Sequence, residues 1–113
     1  MLAYLNFRPD LGYIQGMSYV AGMLLLHCGP PEECFKVFCN ILNMSVVFEF
    51  YNFNMKEIKK TYKVFWRVLS EYAHPIYKNL RGEQVSCSTF LFEWILTLFS
   101  SSFDIDICAY LWD

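Results

Sequence analysis

The sequence predicts an all-α, multi-helix fold, and three observations carry that prediction. Apolar residues recur at helical spacing in every periodic segment. No stretch sustains the strict alternation of a half-buried strand. Proline, glycine and acidic residues fall where helices would start and stop. At 113 residues there is room for one domain at most, or a piece of one. The chain is 56% hydrophobic and 18% charged, against about 45–50% and about 25% in average soluble domains. It therefore has ample apolar surface to offset chain entropy, which excludes disorder, and more of that surface than one small domain normally carries.

The stretch "RPDLGYIQGMSYVAGMLLLHC", Arg8 to Cys28, begins as a turn, with Pro9-Asp10 and then Gly12. From Met17 onward it continues as an almost wholly apolar helix. Pro30-Pro31-Glu32-Glu33 starts the next helix, because proline and acids suit a first turn. Its apolar face is Cys34, Phe35, Phe38, Ile41 and Leu42. Val46 to Phe53, rich in β-branched and aromatic residues, reads as a connecting loop, with a helix as the alternative. Asn54 with Glu57 resembles a capping box opening a long helix, whose stripe is Ile58, Tyr62, Phe65, Trp66, Leu69 and Tyr72. Pro75 should break or kink it, and Gly82 should end the segment that follows. Ser88 to Phe99 is apolar nearly all round, as in a central buried helix. After the link Ser100-Ser101-Ser102, Asp104 is placed to cap a last helix carrying Ile105, Cys108, Leu111 and Trp112. Trp66, Trp94 and Trp112 are expected in the core. The chain stops at Asp113 inside a helical pattern, which reads as a domain incomplete at its end.

Several function classes fall away on composition. The net charge of −2 gives nucleic acid no electrostatic foothold, and Lys56, Lys59, Lys60 and Lys63 fit one solvated helix face. No basic region followed by an apolar run opens the sequence, so no secretory leader is expected. Val20–Leu26 is short for a membrane span, and Phe90–Phe99 carries Glu93 at its centre. The five cysteines form no C-x-x-C pair, and His27 and His74 add no ligand spacing, so reduced, mostly buried thiols are expected and no metal. There is no glycine-rich phosphate cradle, hence no nucleotide site of the chain's own.

What remains is Gln15, a neutral amide between Ile14 and Gly16 at the mouth of a greasy helix. It either satisfies backbone groups left open at the helix start, with Gly12 and Gly16 serving the turn and close packing, or it projects into a partner's site. In the second case the glycines would let the partner's backbone approach.

The motif Tyr13-Ile14-Gln15-Gly16 has Arg8-Pro9 and Gly12 before it and Met17-Ser18 after it. It resembles the Tyr-x-Gln-Gly motif of the TBC domain of Rab GTPase-activating proteins. Glu93-Trp94-Ile95-Leu96-Thr97-Leu98-Phe99 resembles that family's W-x-x-T-L-F helix, and Leu111-Trp112-Asp113 the start of its W-D helix. The resemblance spans essentially the whole chain, with three motifs in order, and so implies a partial TBC domain over residues 1–113. It further implies a Rab-family small GTPase as partner, with GTP and Mg belonging to that partner. Gln15 would orient the attacking water, and Tyr13, Gly16 and Met17 would contact the GTPase. A cytoplasmic location, in vesicle trafficking, with membrane association only through the partner, follows from the same resemblance. The family's arginine lies in an upstream Ile-x-x-Asp-x-x-Arg motif. None of Arg8, Arg67 and Arg81 has that context, so the arginine-bearing helix is expected to precede Met1 and this chain alone to be nearly inactive. The alternative is a binding or scaffold module of the same fold.

Overall fold

The computed structural model describes residues 1–113 and contains eight α-helices, one short 3-10 turn and no strand. They are α1 (Leu2–Phe7), α2 (Met17–His27), α3 (Pro31–Leu42), α4 (Ser45–Tyr51), α5 (Met55–Tyr72), α6 (His74–Gly82), the turn Cys87–Thr89, α7 (Leu91–Thr97) and α8 (Ile105–Trp112). The all-helical expectation therefore holds, but individual elements depart from it.

The core forms where α2, α3, α4 and α7 meet. From α2 it takes Met17, Val20 and Leu24, from α3 Cys34, Phe38 and Leu42, and from α4 Val47, Phe50 and Tyr51. These positions recur three or four residues apart, with Phe50 and Tyr51 adjacent in α4, so one face of each helix turns inward. Tyr4 of α1 closes one side by an edge contact to Phe38 at 5.1 Å, and Ile58 of α5 the other. Beyond Ile58, α5 has no fully buried residue, and α6 has none at all. The α5–α6 pair is held by Trp66 against Tyr77 at 5.8 Å and by Arg81 over Trp66 at 4.9 Å.

Val46–Phe53 is a helix through Tyr51, not a loop, because burying Val47, Phe50 and Tyr51 on one face outweighs the β preference of its residues. The six-residue α1 carries no sequence signal, having neither a capping side chain nor a repeat. Asn54 stands at the start of α5, but no capping box forms. Its amide donates instead to Glu49 Oε2 at 2.6 Å, while Glu57 pairs with Lys60. Asp104 precedes α8 without a side-chain capping bond. The break at Ala73, between α5 and α6, falls just before His74-Pro75, and α6 ends at Gly82.

The expected helix over 88–99 is shorter, ending at Thr97, and only Leu91, Leu96 and Thr97 in it are buried. Tyr72 of the predicted α5 stripe is exposed, as are Ile105 and Leu111 of α8. The three tryptophans are half-buried, lying at the core's margin. Trp112 has a specific bond there, its Nε1 donating to the carbonyl of Leu98 at 2.8 Å. Of the cysteines, Cys34, Cys87 and Cys108 are buried and Cys28 and Cys39 half-buried, all as free thiols. Burial raises the thiol pKa at Cys34, Cys39, Cys87 and Cys108, which keeps these groups protonated at neutral pH. No single helix is long and apolar enough to cross a membrane, and no group of three His, Cys, Asp or Glu could hold a metal ion.

Candidate functional site

Residues 8–16 run from α1 to α2 as an ordered loop. Arg8 anchors its start. The guanidinium donates from Nε and Nη2 to the two oxygens of Asp10, at 2.9 and 2.8 Å, and from Nη1 to Asn43 Oδ1 at 3.0 Å. It also sits 5.5 Å over the Phe48 ring. This bond to Arg8 holds the Asp10 carboxyl below its usual range. The arginine nearest Gln15 is thus committed to the loop, in agreement with its reading as part of the Arg-Pro turn.

The far end of the loop is fixed by Gly16. It occupies the N-cap of α2 with φ +112°, a backbone region side chains rarely enter. A Cβ built there would lie 3.4 Å from Leu96 Cβ and Thr97 Cγ2 and 3.5 Å from the Leu96 carbonyl oxygen. The loop therefore leans directly on α7. That same carbonyl accepts a 2.5 Å hydrogen bond from the buried Tyr51 hydroxyl, so α4, α7 and the loop converge at one point. Met17 follows Gly16 into the core and is completely buried.

Gln15 lies one residue before this anchor and is exposed. It lines an open cleft of about 580 Å³ whose walls include Tyr13, Tyr19, Phe53, Phe92, Glu93 and Thr97. Tyr13 and Tyr19 are half-exposed, and Tyr13 Oη lies 3.4 Å from Ser18 Oγ. On the opposite wall Ser101 Oγ donates to Glu93 Oε1 at 2.9 Å, and Thr97 Oγ1 donates to the Glu93 carbonyl at 2.8 Å. The cleft thus carries four aromatic side chains, one primary amide, one carboxylate and no basic side chain.

Of the four residues singled out by sequence, Tyr13 and Gln15 are available to a partner. Gly16 and Met17 are buried, the first against α7 and the second in the core. Both sit where the loop joins α7 and the core, and the backbone of Gly16 also borders the cleft. Phe53, Glu93, Leu96 and Thr97 reach the cleft from residues 38 or more positions away in sequence, so no local spacing marks them. Only the charge of Glu93 within an apolar segment hinted at a wet surface there.

The profile of the Rab-GTPase-TBC domain matches residues 1–113. TBC1 domain family member 12 of Rattus norvegicus is 30% identical over 111 residues, covering 98% of this chain and 16% of the relative. TBC1 domain family member 14 of Homo sapiens is 29% identical over the same coverage. Drainin of Dictyostelium discoideum is 30% identical over 113 residues, covering 98% of this chain and 25% of its own length. The chain thus spans a quarter or less of these relatives. No solved structure gives a significant match.

Proposed function

The chain belongs to the Rab-GTPase-TBC domain family, and on that premise we propose that it presents Gln15 to the nucleotide site of a GTP-loaded Rab. The observation that carries this reading is the exposure of Gln15 at the aromatic cleft while its neighbours Gly16 and Met17 are buried. A primary amide suits the task. Its carbonyl oxygen accepts from the attacking water, and its NH2 donates to a phosphoryl oxygen as charge redistributes. Glutamate would bring negative charge to a phosphate, and asparagine would be one methylene short. Tyr13 stands beside it as a contact residue, and Gly16 and Met17 fix the loop. GTP and Mg belong to the partner. The site of action is cytoplasmic, on membranes reached through the Rab.

The family's arginine motif is not among these 113 residues, so the chain contributes the glutamine half of the chemistry. An arginine finger is worth about 10³–10⁵ in rate, or roughly 4–7 kcal/mol. Stimulation of phosphate release by this chain alone is therefore expected to be slight. The decisive measurement is binding to a panel of Rab proteins loaded with GDP, with and without aluminium fluoride, which mimics the phosphoryl group in transfer. Fluoride should tighten binding to at least one Rab, and Gln15→Ala should remove that effect. A fluoride response that survives Gln15→Ala would overturn the role of the glutamine. A binding module without activation is the second reading, and its mark is Rab binding indifferent to fluoride.

A further inference from the structure

Three helices end in the same hydrogen-bonded corner, and none uses glycine for it. In each, a residue takes positive φ while two successive amides reach back to carbonyls of the last turn; at the third corner Phe99 (φ 70°), packed against Trp94 and Phe103, does so as well as Leu98. Phe53 (φ 52°) bonds to the Phe50 carbonyl, and Asn54 to that of Glu49. Gln84 (φ 56°) bonds to Arg81, and Val85 to Leu80. Leu98 (φ 47°) bonds to Ile95, and Phe99 to Trp94. A side chain is disfavoured in this backbone region, and a bulky one is an outlier that calls for a reason.

For Leu98 the reason is internal. Its side chain packs against the core, and its carbonyl accepts from Trp112 Nε1. Gln84 is a flexible polar residue at the surface. Phe53 is neither. It is 54% exposed, its ring stacks on Phe92 at 6.0 Å and 29°, and it forms a wall of the Gln15 cleft. Glu93, next to Phe92, lines the same cleft and takes part in none of the chain's ion pairs. An exposed aromatic face beside an uncompensated carboxylate suits a long cationic side chain. The aliphatic stem lies on the rings, and the charge is shared between ring face and carboxylate.

We propose that the cleft beside Gln15 receives a lysine or arginine side chain of the GTPase, with Phe53 as its aromatic wall and Glu93 as its counter-charge. This rests on the reading of Gln15 given above and adds the feature that selects among partners. The cation would sit beside the amide, anchoring the GTPase surface that Gln15 must reach.

The test uses the whole chain tethered to a sensor surface, so that self-association does not intervene, titrated with GTP-loaded Rab proteins. Phe53→Gly keeps the corner and removes the ring. Rab affinity should fall about tenfold or more, while the urea midpoint of the chain does not fall, since the backbone is relieved. Glu93→Gln should weaken binding severalfold and flatten its dependence on salt. Affinity unchanged in both variants, with the Gln15-dependent fluoride response intact, overturns the cleft assignment and leaves the glutamine reading standing. A loss of affinity that tracks a loss of folding midpoint makes Phe53 a structural residue and overturns it as well. Failure of every Rab to bind the unaltered chain overturns both readings.

Discussion

At the scale of single residues, Gly16 and Gln15 divide the labour of the motif. The glycine faces inward, and the glutamine faces outward. Gly16→Ala places a Cβ at ordinary contact distance from Leu96 and Thr97, so space alone does not forbid it. The φ of +112° does, because an L side chain there is strained. The substitution should cost about 1–3 kcal/mol, read as a lowered urea midpoint, and should blunt the fluoride response by tilting the loop off α7. Gly22 provides the contrast. It lies inside α2 with nothing within 4 Å of a built Cβ, so Gly22→Ala should stabilise the chain by about 0.5–1 kcal/mol. Destabilisation of similar size at both positions would mean that Gly16 has no special conformational role. Arg8 makes a related point. Its proximity to Gln15 invites a catalytic reading, yet three hydrogen bonds and the Phe48 ring consume it.

At the scale of elements, legibility followed how local the deciding forces were. α3 was readable because its start is written in Pro31, Glu32 and Glu33 and its face in a run of apolar residues at helical spacing. The break before α6 was readable because proline acts on its immediate neighbours. α4 was not, since Val46, Val47 and Phe48 prefer strand locally and become helical only through the burial of Val47, Phe50 and Tyr51. The same division holds for the site. Gln15 stands out in a contiguous motif, whereas the wall opposite it is assembled by α4 and α7 folding back from distant sequence. The left-handed corners were also invisible, because helix ends normally announce themselves by glycine and here Phe53, Gln84 and Leu98 serve instead. Gln84 tests whether those corners carry strain. It is exposed, so Gln84→Gly should raise stability by about 0.5–1 kcal/mol through backbone relief alone. A fall in the urea midpoint would show that the glutamine side chain contributes more than its backbone costs.

At the scale of the whole molecule, the balance between core and surface sets the behaviour in solution. The Cα radius of gyration is 15.5 Å, against about 13 Å for a compact chain of this length. The accessible surface is 7624 Å², against roughly 6,500 Å² for a globular monomer of this mass. Large apolar side chains contribute to it: Leu25, Leu26, Ile107 and Leu111 are all more than half exposed, and Tyr72 and Tyr110 more than four-fifths. Between α1, α2 and α3 an open groove of about 480 Å³ is lined by Tyr4, Leu24, Leu25 and Phe35 among others. Contiguous apolar patches beyond a few hundred Å² drive association, and a net charge of only −2 opposes it weakly. The isolated chain should therefore self-associate at micromolar concentration. Its weight-average mass in sedimentation velocity should rise with loading, and it should bind hydrophobic dyes while keeping its helical circular dichroism. Added salt distinguishes the force at work: association driven by apolar contact persists or strengthens, whereas association through charge weakens. A monodisperse monomer with a sharp, reversible thermal transition would mean that these exposed side chains pack better in solution than their geometry implies. Substituting Leu25 and Leu26 by lysine probes the same surface from the other side. Both residues point away from the core, so the double variant should lose association while its helicity and fluoride response remain.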